Sequence, residues 1–109
     1  MQPVKIHIYS QSRSSEGTEN IETTAYGRLA EKNNKFYVFY EEDAASGLAG
    51  TKTTLKWDHE RVIILRSGTV DCRQEFAVGL VCESLYRTPH LTLPMRLTTD
   101  YLYVYCRDK

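Results

Sequence analysis

NNKFYVFYEE (33–42) decides the fold. Asn33-Asn34 is a turn pair whose short amide side chains tolerate left-handed backbone angles, and KFYVFYEE follows at once. Its aromatic and β-branched residues suit a pleated, half-buried surface. On the other side of the turn, residues 21–32 (IETTAYGRLAEK) place Ala25, Gly27 and Leu29 on one face. Gly27 inside such a run predicts a bulge or a tight bend. The two runs form a hairpin.

The same pattern extends outward. Residues 51–57 (TKTTLKW) alternate Thr53, Leu55 and Trp57 against Lys52, Thr54 and Lys56. Asp58-His59-Glu60 then turns into RVIILR (61–66). Ser67-Gly68 is a turn or bulge, and residues 70–76 alternate Val70, Cys72, Gln74 and Phe76 against Asp71, Arg73 and Glu75. Residues 77–80 break the pattern, 81–87 resume it, and Thr88-Pro89-His90 turns into 91–99, where Pro94 demotes the run to an edge or bulged strand. Near the start, Val4, Ile6 and Ile8 alternate with Lys5, His7 and Tyr9. The polar stretch SQSRSSEGTEN (10–20) reads as a mobile loop, and residues 41–50 as a longer loop with a solvated acidic turn, Glu41-Glu42-Asp43. Alternation of Tyr101, Tyr103 and Tyr105 with Leu102, Val104 and Cys106 predicts a terminal strand.

No window of eleven or more residues has a helical period. The expectation is eight or nine short strands in an antiparallel meander, closed as an up-and-down barrel because closure removes exposed edges. Composition agrees. Val, Ile, Thr, Tyr, Phe and Trp make 35 of the 109 residues, and the length allows a single domain over 1–109. Lys and Arg together number 14, as do Asp and Glu, for a formal net charge of zero. That balance argues against a general nucleic-acid binder and against a polybasic membrane anchor. No apolar run approaches the length of a membrane helix, and the start MQPVKIHIYS has no leader pattern. Three cysteines, Cys72, Cys82 and Cys106, without a CxxC pair fit reduced thiols in a cytoplasmic protein, each acting as a small hydrophobe.

KFYVFYEE, GTKTTLKW (50–57), ERVIILRSGTVDCRQEF (60–76) and LYRTPHLTLPMRLTT (85–99), in that order and spacing, resemble the YwiB-like family. These are small bacterial proteins of unknown function with a lipocalin-like β-barrel. The likeness covers residues 2–105, and TKTTLK (51–56), RSG (66–68) and YRTP (86–89) are its most specific parts. It implies a lipocalin-like barrel here too. The sequence departs from the family in two places. Leu91 stands where the family has Gly in TPxG, and a turn using a positive backbone angle would be strained there. Family members also continue for a further hairpin, so the resemblance implies a barrel open or incomplete at its C-terminus, one completed by a second chain, or a chain cut short. An unpaired edge ending in YLYVYC (101–106) favours a homodimer.

Chemical motifs are sparse. Ser67 on the RSG turn is the one nucleophile candidate, without GxSxG or a patterned base, and a turn residue explains it better. His7, His59 and His90 are isolated, so no metal site is expected, and GLAG (47–50) lacks the Lys-Ser/Thr of a phosphate loop. GLAG reads as a flexible loop at the barrel mouth. The rings of Tyr37, Phe39, Tyr40, Tyr101, Tyr103 and Tyr105 have Glu41, Glu42, Asp43 and Asp100 as sequence neighbours, so packing is favoured over base stacking. The barrel interior remains. Taking Val62, Ile64 and Arg66 as one face, Arg66 is placed to orient an anionic head group. Gln74, Tyr86 and Thr88 are the other candidate ligand contacts. The competing reading pairs Arg66 with a carboxylate such as Glu75 and packs Tyr86 against a turn. The functional expectation is a non-catalytic protein without cofactor, binding a small apolar or amphiphilic ligand. A protein-interaction or dimerisation module with a packed barrel and no ligand is the alternative, and a small hydrolase or isomerase using Ser67 and Arg66 ranks third.

Overall fold

The computed structural model describes residues 2–43 and 48–104. The expected Ala44–Gly47 part of the long loop, and Tyr105 and Cys106 of the expected last strand, lie outside the described residues. The described residues form eight strands: β1 (Gln2–Ser14), β2 (Gly17–Lys32), β3 (Lys35–Glu41), β4 (Thr51–Trp57), β5 (Val62–Gly68), β6 (Cys72–Phe76), β7 (Val81–Arg87) and β8 (Thr92–Thr98). The first six form one antiparallel sheet in sequential order, and β7–β8 form a hairpin of their own. The result is an all-β, curled half-barrel. Among the described residues no helix is long and apolar enough to cross a membrane.

Local chemistry accounts for the turns. Asn33 and Asn34 take φ of 54° and 63°, the paired positive angles of a tight hairpin loop. Asp58 Oδ1 accepts from the backbone N–H of Glu60 at 2.8 Å and of Arg61 at 3.1 Å. The Glu60 bond is the main cause that holds the Asp58 carboxyl below its ordinary pKa. Thr88 Oγ1 accepts from the N–H groups of His90 and Leu91 and donates to the Leu91 carbonyl. Leu91 is not among the residues with positive φ, so this turn closes without the strain that a Leu for Gly exchange suggested.

The bend predicted at Gly27 is present and sets the curl. β2 pairs with β3 only from Arg28 to Lys32, whereas its partner β1 follows it from Gln2↔Leu29 to Ser14↔Gly17. A Cβ on Gly27 would lie 2.3 Å from the Phe39 carbonyl oxygen and 3.0 Å from Tyr40 Cβ, so only glycine lets β2 leave β3 at this point. Beyond the bend β2 carries β1 back over the sheet. Val4, Ile6, Ile8, Ala25 and Leu29 then pack on the buried Val38, Tyr40 and Leu55, with Trp57 and Ile64 alongside. Burying side chains such as Val38 and Leu55 contributes about 2 kcal/mol each.

Two sequence expectations are corrected. Residues 10–20 are not a loop. β1 and β2 run through them as a ladder ending at Ser14↔Gly17, and every residue from 9 to 22 is exposed. Both faces of this ribbon meet water, so its side chains carry no hydrophobic alternation by which to read it. Arg13 near its tip forms an ion pair with Asp100. Residues 101–104 are not a strand either, and Tyr101 and Tyr103 are exposed.

Replacing Gly27 by Ala should lower stability by about 2 kcal/mol, since overpacking against backbone forces strand shifts. Urea unfolding checks this; an unchanged midpoint would show that β2 can leave β3 without the close approach.

Candidate functional site

Register places one polar row across the concave face. Tyr40 stands opposite Thr53, Thr53 opposite Arg66, and Arg66 opposite Cys72. The next row, Val38, Leu55 and Ile64, is apolar and ends at Gln74. Just past β3, Glu42 continues the inward alternation of Val38 and Tyr40. Its side chain is only 4 % exposed and that of Arg66 18 %. Glu42 was expected to be a solvated turn residue; strand parity through the end of β3 turns it inward instead.

The hydrogen bonds of this row are incomplete. Thr53 Oγ1 donates to Glu42 Oε2 at 3.1 Å. Arg66 Nη1 reaches Gln74 Oε1 at a long 3.5 Å, and Arg66 Nε lies 4.0 Å from Glu42 Oε2, beyond hydrogen-bonding reach. Among the described residues, Arg66 Nε and Ser84 Oγ are the buried side-chain polar atoms left without a partner. Burial, followed by the Glu42 charge, pushes the Tyr40 phenol above its ordinary pKa, with Arg66 opposing.

Ser84 belongs to the neighbouring hairpin. Asp71 and Arg87 exchange two backbone hydrogen bonds of 2.9 Å, which dock β7 beside β6. Glu75 N–H donates to Cys82 Sγ at 3.4 Å, and Gln74 Nε2 to Met95 Sδ at 3.9 Å. Met95 is the register partner of Ser84, so Gln74 links the Arg66 row to the β7–β8 hairpin. An open cleft of about 480 Å³ runs along this hairpin, lined by Glu83, Ser84, Leu85, Pro94, Met95 and Arg96 and by no residue of the Arg66 row. The space under β1, by contrast, is filled, since Val38, Tyr40 and Leu55 are 3–8 % exposed.

Of the four candidates read from sequence, Arg66 and Gln74 come together. Tyr86 is half-buried on β7, two residues beyond Ser84 and on the same face. Thr88 spends its hydroxyl inside its own turn. The pairing of Arg66 with Glu75 does not occur, because Glu75 lies on the opposite face and binds Arg61 at 2.6 Å and Arg73 at 3.1 Å. Ser67 is exposed on the outer face opposite Lys52. Among the described residues no three His, Cys, Asp or Glu side chains converge as a metal site would need. Tyr40, Glu42, Thr53 and Ser84 were missed.

A curled antiparallel sheet enclosing one polar row defines a small β-barrel domain. The chain belongs to a family described as a domain of unknown function (DUF1934), whose model matches residues 6–109. It is 29 % identical over 97 residues to the uncharacterised β-barrel protein YwiB of Bacillus subtilis (strain 168), covering 89 % of this chain and 67 % of the relative. The crystal structure of YwiB superimposes with a TM-score of 0.71 over 87 % of this chain and 66 % of that one. The chain thus spans about two thirds of the length of the protein it matches.

Two outcomes test this site. Glu42→Gln should cost about 3 kcal/mol, because it leaves Arg66 enclosed without its countercharge. In the wild type, the stability tied to the neutral Tyr40 phenol is fully present below about pH 10, the ordinary phenol value. It is lost as pH rises through the higher folded-state value. Tyr40→Phe should therefore flatten alkaline unfolding followed by circular dichroism, and an unaltered alkaline limb would dismiss this role.

Proposed function

We propose that the protein binds a small, partly apolar ligand whose head group accepts hydrogen bonds at Arg66, Gln74 and Ser84, without catalysing its conversion. The carrying observation is the pair of enclosed, unpartnered donors, Arg66 Nε and Ser84 Oγ. Buried polar atoms without partners are rare and costly, and an incoming acceptor relieves the cost. Glu42 offsets the Arg66 charge, so a monocarboxylate suits the row better than a dianion. Met95, on the same face as Ser84, gives an apolar wall for the rest of the ligand. The ligand therefore lies between the polar row and the β7–β8 hairpin, since the space under β1 is packed.

Titration with medium-chain monocarboxylates, read from the arginine Nε–H resonances by NMR and by calorimetry, tests this reading. Saturable binding should move the Arg66 resonance. Arg66→Met should weaken it roughly tenfold, the worth of a charge-assisted hydrogen bond. No response to millimolar ligand, or equal binding by the variant, would overturn it.

A self-association reading has separate support. Val81, Leu85, Leu91 and Leu93, in and beside the β7–β8 hairpin, are 44–49 % exposed. Sedimentation velocity should show a concentration-dependent dimer that Leu85→Glu dissolves; a monomer at every concentration would remove this alternative.

A further inference from the structure

The convex face of the six-stranded sheet carries a second array that the concave row does not use. On β3, Tyr37 and Phe39 present their rings within 5° of parallel, with centroids 6.4 Å apart. Phe39 is 40 % exposed, and Tyr26, on the same face of β2, is 74 % exposed. One cross-strand neighbour of each β3 ring is basic, the other being Thr54 for Phe39 and Ala30 for Tyr37. Arg28 stands opposite Phe39 and Lys56 opposite Tyr37, with Lys56 Nζ 5.6 Å from the Tyr37 ring centroid.

Strand parity sorts the charges of this face. From Arg28 on β2 to Phe76 on β6, the outward strand positions hold Arg28, Lys32, Lys35, Lys52, Lys56 and Arg73 against Glu41 and Glu75. Glu41 is the register partner of Lys52, and Glu75 is held by Arg61 and Arg73. The chain has no net charge, yet its cations gather around these aromatics. Of the acidic neighbours that argued against base stacking in the sequence, Glu42 points to the concave side and Asp100 pairs with Arg13, while Glu41 stays on this face opposite Lys52.

We propose that the convex face of β2–β5 binds single-stranded polynucleotide. Bases stack on Phe39 and Tyr37, and phosphates meet Arg28, Lys52 and Lys56. Exposed rings accept any base through its π-face, and flanking cations track the backbone, so binding tolerates sequence. An acidic peptide would satisfy the cations and leave the rings without a role.

Fluorescence anisotropy with labelled oligo-U and oligo-dT, read across a salt series, tests the proposal, with poly-glutamate as a competitor. Saturable binding is expected at low salt, with log affinity falling against log salt at a slope of about −2 for three phosphate contacts. Phe39→Ala should weaken binding roughly tenfold, the effect of losing one stacked base. Arg28→Glu with Lys56→Glu should abolish it, while Arg66→Met leaves it unchanged. The relative affinities of the two oligomers decide between RNA and DNA as the natural strand. Absence of binding at low salt overturns the proposal. So does competition by poly-glutamate as effective as that by unlabelled oligomer, or indifference to Phe39→Ala in a variant whose circular dichroism is native.

Discussion

The structure depends on one close approach, that of the Gly27 backbone to the Phe39 carbonyl and Tyr40 Cβ. A strand with side chains throughout would have continued alongside β3 and left a more open sheet with its apolar face wet. Because β2 departs there, β1 returns over β3 and β4, and Val4, Ile6 and Ile8 cover Val38 and Leu55. The curl has a second effect. It divides the concave surface into an apolar part that β1 seals and a polar row, Tyr40, Thr53 and Arg66, with Glu42 enclosed beside it.

That division explains why the polar row is electrostatically tense. A guanidinium and a carboxylate share an enclosed setting, yet their nearest atoms stand at 4.0 Å. In so short a sheet the desolvation of both groups is recovered only if further hydrogen bonds complete them. Thr53 completes part of Glu42, and Gln74 reaches Arg66 at the limit of bonding distance. The row is thus built to hold charge in a low-dielectric place, with donor capacity left over.

Much of the fold was legible because one face of most strands is buried. Alternation revealed β3 to β7, and Asn33-Asn34 and Asp58 declared their turns through side-chain chemistry. The outer part of the β1–β2 ladder, residues 9–22, was not legible, since a ladder exposed on both sides imposes no pattern on its residues. Arg66 and Gln74 were found by asking which polar residues share a face with Val62, Ile64 and Cys72. Glu42 was lost by reading an acidic triplet as one solvated unit instead of carrying the parity of β3 one step past its end. Net charge is silent on placement in a related way, because a sum over the chain does not show that the sheet sends cations to its outer face.

The strictly sequential order of β1 to β6 also bears on how the chain finds this structure. Each ladder joins neighbours in the chain, so every pairing closes a short loop, and the conformational entropy lost per step stays small. The Asn33-Asn34 hairpin offers a starting point, and strands can add on either side of it. The contacts between β1 and β3–β4 span much longer separations and belong to the last stage. Until β2 bends at Gly27, Val38 and Leu55 remain uncovered, so the half-assembled meander is the species most prone to aggregate.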